Sequence, residues 1–254
     1  MQWTGRPAVD GAVRHNRAMN FVLVHGGFHG GWCWRLVAER LRALGHAVSH
    51  PTSTGFGERR HLLRADLSLD TLVRDLVNHL QAEELTDVVL VGHSFGGLSI
   101  SGAADRVPQR IRQLVFLDSL IIQPGQTVFG ALPPDVVAQR RQSCTQFDGV
   151  RCFPPPPAAA FGIAPDHPHA AWVERQLTPQ PESLYDSDLA LENPVGNGLP
   201  CSYIACTNPS LAAMVSSQAW AKAQPGWRWI EMDAGHDVMV TEPERLAQLL
   251  VEIA

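Results

Sequence analysis

The run Val88-Val89-Leu90-Val91 passes without a break into Gly92-His93-Ser94-Phe95-Gly96-Gly97. Four consecutive apolar residues, three of them β-branched, read as a strand buried on both faces. Residues 98–104 then have the composition of a helix. A strand that turns at once into a helix, with a serine at the bend, is the setting in which G-x-S-x-G presents a nucleophile. The flanking glycines permit the strained backbone and let the helix come close. Free N–H groups at the helix start point toward the serine oxygen and favour negative charge there. The pattern alone occurs often by chance, so its weight comes from the strand before it and the helix after it. A glycine-rich turn with an incidental serine is the bland alternative.

Similar strand–helix units recur along the chain. Phe21-Val22-Leu23-Val24 reads as a buried strand ending at His25-Gly26-Gly27, and Leu36, Val37, Leu41 and Leu44 recur at helical spacing before Gly45. Strands are predicted over residues 46–50, 87–91, 111–117, 202–206 and 227–232. Leu69, Leu72, Val73, Leu76 and Leu80 form a helical stripe. This alternation predicts an α/β fold, a mostly parallel, doubly wound sheet with helices on both faces, because parallel strands need crossovers. Residues 121–199 interrupt it. They hold Pro154-Pro155-Pro156-Pro157 and many other prolines, with helical fragments near 135–142 and 170–177. The stretch is too long for a plain connection and is expected to be an inserted cap on a core made of residues 20–120 and 200–254. A rigid cap linker accounts for the proline run better than a polyproline ligand does. Residues 1–19 read as a loose extension without a secretory signal, and Met19-Asn20 would serve as an alternative start.

Composition narrows the function. The net charge of −5, with no Lys/Arg clusters, disfavours nucleic acid and anionic membranes, and no apolar run approaches the ~20 residues of a membrane span. Cys33, Cys144, Cys152, Cys201 and Cys206 form no CxxC, so no zinc or redox pair is signalled. Free thiols in a reducing, cytoplasmic setting are expected, although Cys144 and Cys152 are near enough in sequence to pair. Neither metal nor organic cofactor is called for.

A serine nucleophile needs a base, and the base needs an acid. Of eleven histidines, His236 in Asp233-Ala234-Gly235-His236-Asp237 follows the last strand, at the same sheet edge as Ser94. His93 adjoins Ser94 but is expected to point away across the turn. The developing oxyanion needs donors. The Phe95 N–H is one, and the glycine-rich loop at residues 25–31 should supply another. That loop lacks the lysine of a phosphate-binding loop.

VLVHGGFHGGWCW, TGFGERRHL, VGHSFGG, LVFLDS and AGHDVM together resemble the α/β-hydrolase superfamily over residues 20–253, and within it the plant methylesterase and hydroxynitrile-lyase subgroup with its bacterial relatives. The resemblance implies an α/β-hydrolase fold with Ser94 as nucleophile, His236 as base, and the Gly27 and Phe95 amides as oxyanion hole. Two departures matter. The subgroup's lyases carry a threonine and a lysine where this chain has Gly26 and Asp237, so hydrolysis is favoured over cyanohydrin cleavage. The plant relatives place their acid in a Cys-Thr-x-Asp stretch, whereas this chain reads Cys206-Thr207-Asn208-Pro209. Asp118, at the tip of the fourth predicted strand, is the substitute acid. Asp233 and Asp237 are alternatives too close to His236 to fold back on its ring, and simple capping of the strand end is the structural alternative for Asp118.

The expected activity is cofactor-free hydrolysis of a small-molecule ester or lactone through an acyl-enzyme. A looser resemblance to bacterial macrolide esterases makes macrolide lactone opening the leading specific expectation, with small aryl or methyl esters behind it. A non-catalytic ligand receptor on a hydrolase fold, acyl transfer, and homodimerisation remain open. Phe28 and Trp172 are expected to line the substrate pocket. Trp32, Trp34, Trp227 and Trp229 read as core, and Arg59-Arg60-His61 as a solvated loop or an anion-steering one. Asp118→Asn should leave the fold intact, checked by circular dichroism, and lower kcat by orders of magnitude, as triad acids do elsewhere. Near-normal turnover in that variant would remove Asp118 from the site.

Overall fold

In the computed structural model, which describes residues 18–254, side chains of each central strand alternate between two separate cores. Val22, Val24, Val88, Leu90, Leu114 and Phe116 face one core. Phe21, Leu23, Val89, Val91, Val115 and Leu117 face the other. Successive strand residues point to opposite faces, so an unbroken apolar run is what a sheet covered on both sides requires. Of the extension expected over residues 1–19, residues 1–17 lie outside the described residues, whereas Met19 is buried in the second core and Asn20 opens the first strand.

The sheet contains β1 (Asn20–Val24), β2 (Ala47–Ser49), β3 (Val88–His93), β4 (Ile111–Leu117), β8 (Cys201–Cys206) and β9 (Arg228–Met232), in the order β2-β1-β3-β4-β8-β9 and wholly parallel. Helices Leu69–Ala82 and Gly96–Arg106 cover one face; Arg35–Ala43 and Pro243–Ile253 cover the other. Helix Leu69–Ala82 begins where the Ser68 hydroxyl accepts from the Thr71 amide, and it buries Leu69, Leu72, Val73, Leu76, Val77 and Leu80. The chain winds outward from β1 to β2, then crosses back to β3. Strand order therefore reverses between β1 and β3, and a crevice opens beyond their carboxyl ends. Those ends carry Gly26-Gly27 and Ser94.

Between β4 and β8 the chain leaves the sheet. This excursion carries a small antiparallel sheet of β5 (Thr145–Phe147), β6 (Val150–Phe153) and β7 (Gln180–Pro181), together with helices Pro134–Gln142 and Ala170–Gln176. Sequence patterning anticipates the helices but not these strands, which are too short for a period to register. The excursion is fixed to the core through backbone. The Asp237 amide donates to the Phe161 carbonyl at 2.9 Å, and the Thr178 amide to the Phe28 carbonyl at 2.8 Å. All five cysteines are free, Cys144 and Cys152 included.

Two glycines set the Ser94 turn. A Cβ on Gly96 would lie 2.6 Å from the His25 carbonyl oxygen and 2.8 Å from that of Val24. One on Gly92 would lie 2.9 Å from the Gly96 carbonyl oxygen. These neighbours are backbone and cannot swing aside. Gly96→Ala should cost about 1–3 kcal/mol of stability, the range for overpacking a filled interior, read as a lowered urea midpoint at unchanged m-value.

Candidate active site

Ser94 sits one residue past β3 with φ at +52°, a left-handed conformation that non-glycine residues rarely adopt. Hydrogen bonds hold the turn there: the Ser94 amide donates to Leu117 O at 3.1 Å, while its carbonyl accepts from Gly97 at 3.1 Å and Leu120 at 2.9 Å. The side chain faces a cavity of about 140 Å³ that Gly27, Phe28, Phe95 and His236 also line. A Cβ on Gly26 would lie 2.8 Å from the Ser94 Cβ, so the loop after β1 comes this close only as glycine. The Gly27 and Phe95 amides donate to no other described residue, which leaves both free to meet an oxyanion.

His236 follows β9 and is buried. Its Nδ1 lies 2.6 Å from Asp118 Oδ2, so an Nδ1–H donates to that carboxylate and Nε2 is left for the cavity. Asp118 is fully buried, and its other oxygen accepts from Gln218 Nε2 at 2.8 Å and from the Cys206 amide at 3.4 Å. Gln218 has no sequence signature; it reaches Asp118 from helix Val215–Lys222, which packs against β8, the strand paired with β4. Ser94 and His236 share the cavity, but no direct hydrogen bond joins their side chains in this structure. Such contacts commonly tighten only when substrate is bound.

Three further histidines surround this pair. His25 is neutral: its Nδ1–H donates to Gly26 O at 2.8 Å, its Nε2 accepts from the Ser53 amide at 3.0 Å, and burial lowers its pKa to about 4. His93 does lie outside the cavity lining, yet it packs against His236, with ring centres 4.4 Å apart and Nε2 donating to the His236 carbonyl at 3.0 Å. Burial, followed by repulsion from His236, holds His93 well below the usual histidine range. A neutral ring there places no positive charge against the His236 side chain.

His29 is the opposite case. Its Nδ1 lies 2.6 Å from Gly27 O and its Nε2 2.9 Å from Asp237 Oδ2. Both partners are acceptors, so both nitrogens carry protons and the ring is an imidazolium behind the glycine loop. Burial, the largest single influence, opposes this charge, but the Asp237 carboxylate and the Gly27 carbonyl together outweigh it and the pKa is raised. Asp237 therefore serves His29, 208 residues away, and not its neighbour His236.

Among the described residues, His93, His236 and Asp237 form one group close enough to share a metal ion, their ligand atoms lying within 4.8 Å of each other. His93 Nε2, His236 Nδ1 and Asp237 Oδ2 are engaged by the His236 carbonyl, Asp118 and His29, while His93 Nδ1 and Asp237 Oδ1 have no hydrogen-bond partner.

The expected pocket residues divide. Phe28 lines the cavity. Trp172 does not: its ring packs against Trp32 at 5.2 Å and beneath the Arg35 guanidinium at 4.9 Å, because helix Ala170–Gln176 lies over the start of the Arg35–Ala43 segment. Phe161, without a sequence signal, takes the wall position instead and contacts His29 and His236. Trp34 is core, and Trp227 and Trp229 stack on Phe116 and Tyr203. The Arg59 guanidinium is held by Thr52 O, Thr54 Oγ1 and Asp75, and so braces its own loop.

The raised His29 pKa has a signed consequence. A histidine more basic when folded adds stability in full below its unfolded pKa, about 6.5, and that stability is lost as pH rises through the folded value. His25 and His93, lowered by folding, act at lower pH and in the opposite sense. Wild-type stability should thus decline as pH is raised above about 6.5, and Asp237→Asn should flatten that decline. Urea midpoints measured across pH for both proteins check it; parallel curves would count against the buried imidazolium.

A model described as "Alpha/beta hydrolase family" matches residues 21–249. The chain is 38% identical over 246 residues to the carbendazim hydrolyzing esterase of Nocardioides sp. (strain SG-4G), covering 92% of this chain and 99% of that one. It is 27% identical over 269 residues to methylesterase 10 of Arabidopsis thaliana, covering 95% and 94%. Among solved structures, an extracellular α/β-hydrolase from a Paenibacillus species superimposes with a TM-score of 0.75 at 24% identity, covering 93% of this chain and 99% of that one. A strand-to-helix serine turn, a parallel six-stranded sheet and a family match spanning nearly the whole described chain agree: this protein belongs to the α/β-hydrolase family.

Proposed function

We propose that the protein is a carboxylic-ester hydrolase working through an acyl-enzyme on Ser94. The observation that carries this reading is the 2.6 Å bond from His236 to buried Asp118, at the edge of the cavity Ser94 faces. His236 Nε2 takes the serine proton as Oγ attacks the ester carbonyl carbon. Asp118 fixes the tautomer and stabilises the imidazolium. The Gly27 and Phe95 amides receive the oxyanion. As the tetrahedral intermediate collapses, the imidazolium proton goes to the departing alcohol. Water, deprotonated by the same nitrogen, then releases the acid and regenerates the serine. The esterase and methylesterase names of the relatives support this chemistry.

Cavity size supports a compact substrate. At about 140 Å³ the space is well below the ~300–1,000 Å³ of ordinary ligand pockets. Small aryl or methyl esters therefore suit it better than the macrocyclic lactone expected from sequence resemblance. A non-catalytic receptor would suit a chain without an acid at Pro209, but Asp118 offers a carboxylate to His236 from another strand. The five free thiols accord with a reducing, cytoplasmic setting.

A fluorophosphonate should label Ser94 stoichiometrically, p-nitrophenyl acetate should turn over, and Ser94→Ala should abolish both. Mass spectrometry should find the free acid and alcohol released from aryl and methyl esters, and no gain of 18 Da on macrolactones. An unlabelled, inert wild type would favour the receptor. An ester product formed with a competing alcohol would favour acyl transfer.

A further inference from the structure

Gln180 is 1% exposed, yet neither its carboxamide nitrogen nor its oxygen has a hydrogen-bond partner. It lines the same cavity as Ser94, Phe95 and His236. The carboxamide lies on the bare Cα of Gly27, where a Cβ would fall 2.0 Å from Oε1 and 2.9 Å from Nε2. Its strand cannot retreat to find partners elsewhere. Gln180 pairs with Phe153 in the small sheet, Thr178 is bonded through its amide and its hydroxyl to Phe28 O, and the Glu182 amide donates to Arg151 O. The Glu182 carboxylate is held by Arg141 and Arg151. A buried donor and acceptor without partners is unfavourable, and an amide so fixed beside the proposed oxyanion site stays satisfied only by what enters the cavity.

We propose that Gln180 is a substrate-recognition residue whose carboxamide binds, through both of its polar atoms, an acyl group carrying an N–H beside an acceptor on one edge, as in a lactam, a ureide or a 2-aminoazaheterocycle. Such an edge is the complement of a primary amide, which offers one donor and one acceptor side by side. Gly27 adjoins the carbonyl oxygen, which stays with the acyl portion through both chemical steps, so the recognised edge belongs to that portion. The remaining walls, Leu120, Val128, Leu132, Tyr185 and Met214 among them, offer mainly apolar surface to the rest of a flat ring. A plain alkyl or aryl acid would leave both amide atoms unpaired, and a site built to hydrogen-bond a substrate group rejects analogues that lack it.

This inference rests on the ester-hydrolase reading, and the test separates the two. kcat/KM is measured for the methyl ester of a pyridone carboxylic acid and for its N-methyl derivative, in wild type and in Gln180→Leu. Taking the preference for the N–H ester in each protein and dividing one by the other cancels the intrinsic reactivities of the esters. Wild type should prefer the N–H ester, and that preference should fall at least about tenfold in the variant. An unchanged preference, with Ser94 still labelled by a fluorophosphonate, would overturn the role of Gln180 and leave the hydrolase reading intact. If wild type neither turns over any ester nor accepts the label, the hydrolase reading falls and takes this one with it. Should Gln180→Leu not fold, Gln180→Glu keeps the shape, exchanges donor for acceptor, and must show the same loss.

Discussion

A carboxylate buried at the tip of β4 meets an imidazole that arrives 118 residues later, and the site is organised around that contact. Asp118 can stand there because three groups donate to it: His236, the Gln218 side chain and the Cys206 amide. An ionised carboxylate with no exposure is tolerable only when its oxygens are occupied in this way. Adjacent parallel strands bring the acid and the serine turn to the same edge, since β3 and β4 pair from Val88 to His93. An acid at the tip of β4 can therefore reach the histidine of the proposed triad.

Around this contact the protein separates neutral from charged imidazoles within a small volume. His25 and His93 have backbone partners and are driven neutral by burial. His29 has a carbonyl on one nitrogen and a carboxylate on the other, so it keeps its charge. That charge ties Gly27, on the loop after β1, to Asp237, on the loop after β9. Asp237, next to His236 in sequence, is paired with a histidine 208 residues away.

The excursion between β4 and β8 completes the cavity. Phe161 closes one wall against His29 and His236, and Gln180 brings an unpaired amide onto Gly27. Both arrive on segments bonded through backbone to the loops after β9 and β1, so the walls are registered to the catalytic edge by main chain. Gly162 and Gly235 make that approach feasible, for a Cβ on Gly162 would lie 2.8 Å from the Gly235 Cα.

Local sequence was enough for the sheet, most of its helices, the bend at Ser94 and the placing of His236 after the last strand. Each depends on residues within a few positions: an unbroken apolar run for a doubly covered strand, a 3.6-residue stripe for a helix, paired glycines where backbone must approach backbone. The place of Asp118 was also legible, because a strand end next to the strand that carries Ser94 is a position fixed by topology. Folding alone decided the rest. Nothing near Asp237 says that it will turn to His29 and not to His236, and nothing near Gln218 says that it will steady Asp118. Trp172 has the composition of a pocket residue but packs on Trp32, while Phe161 and Gln180 take the walls. These pairings join residues far apart in the chain, through bonds whose partners are chosen by packing in three dimensions. Spacing along a chain encodes local geometry; it carries no record of which distant group will stand opposite once the layers close.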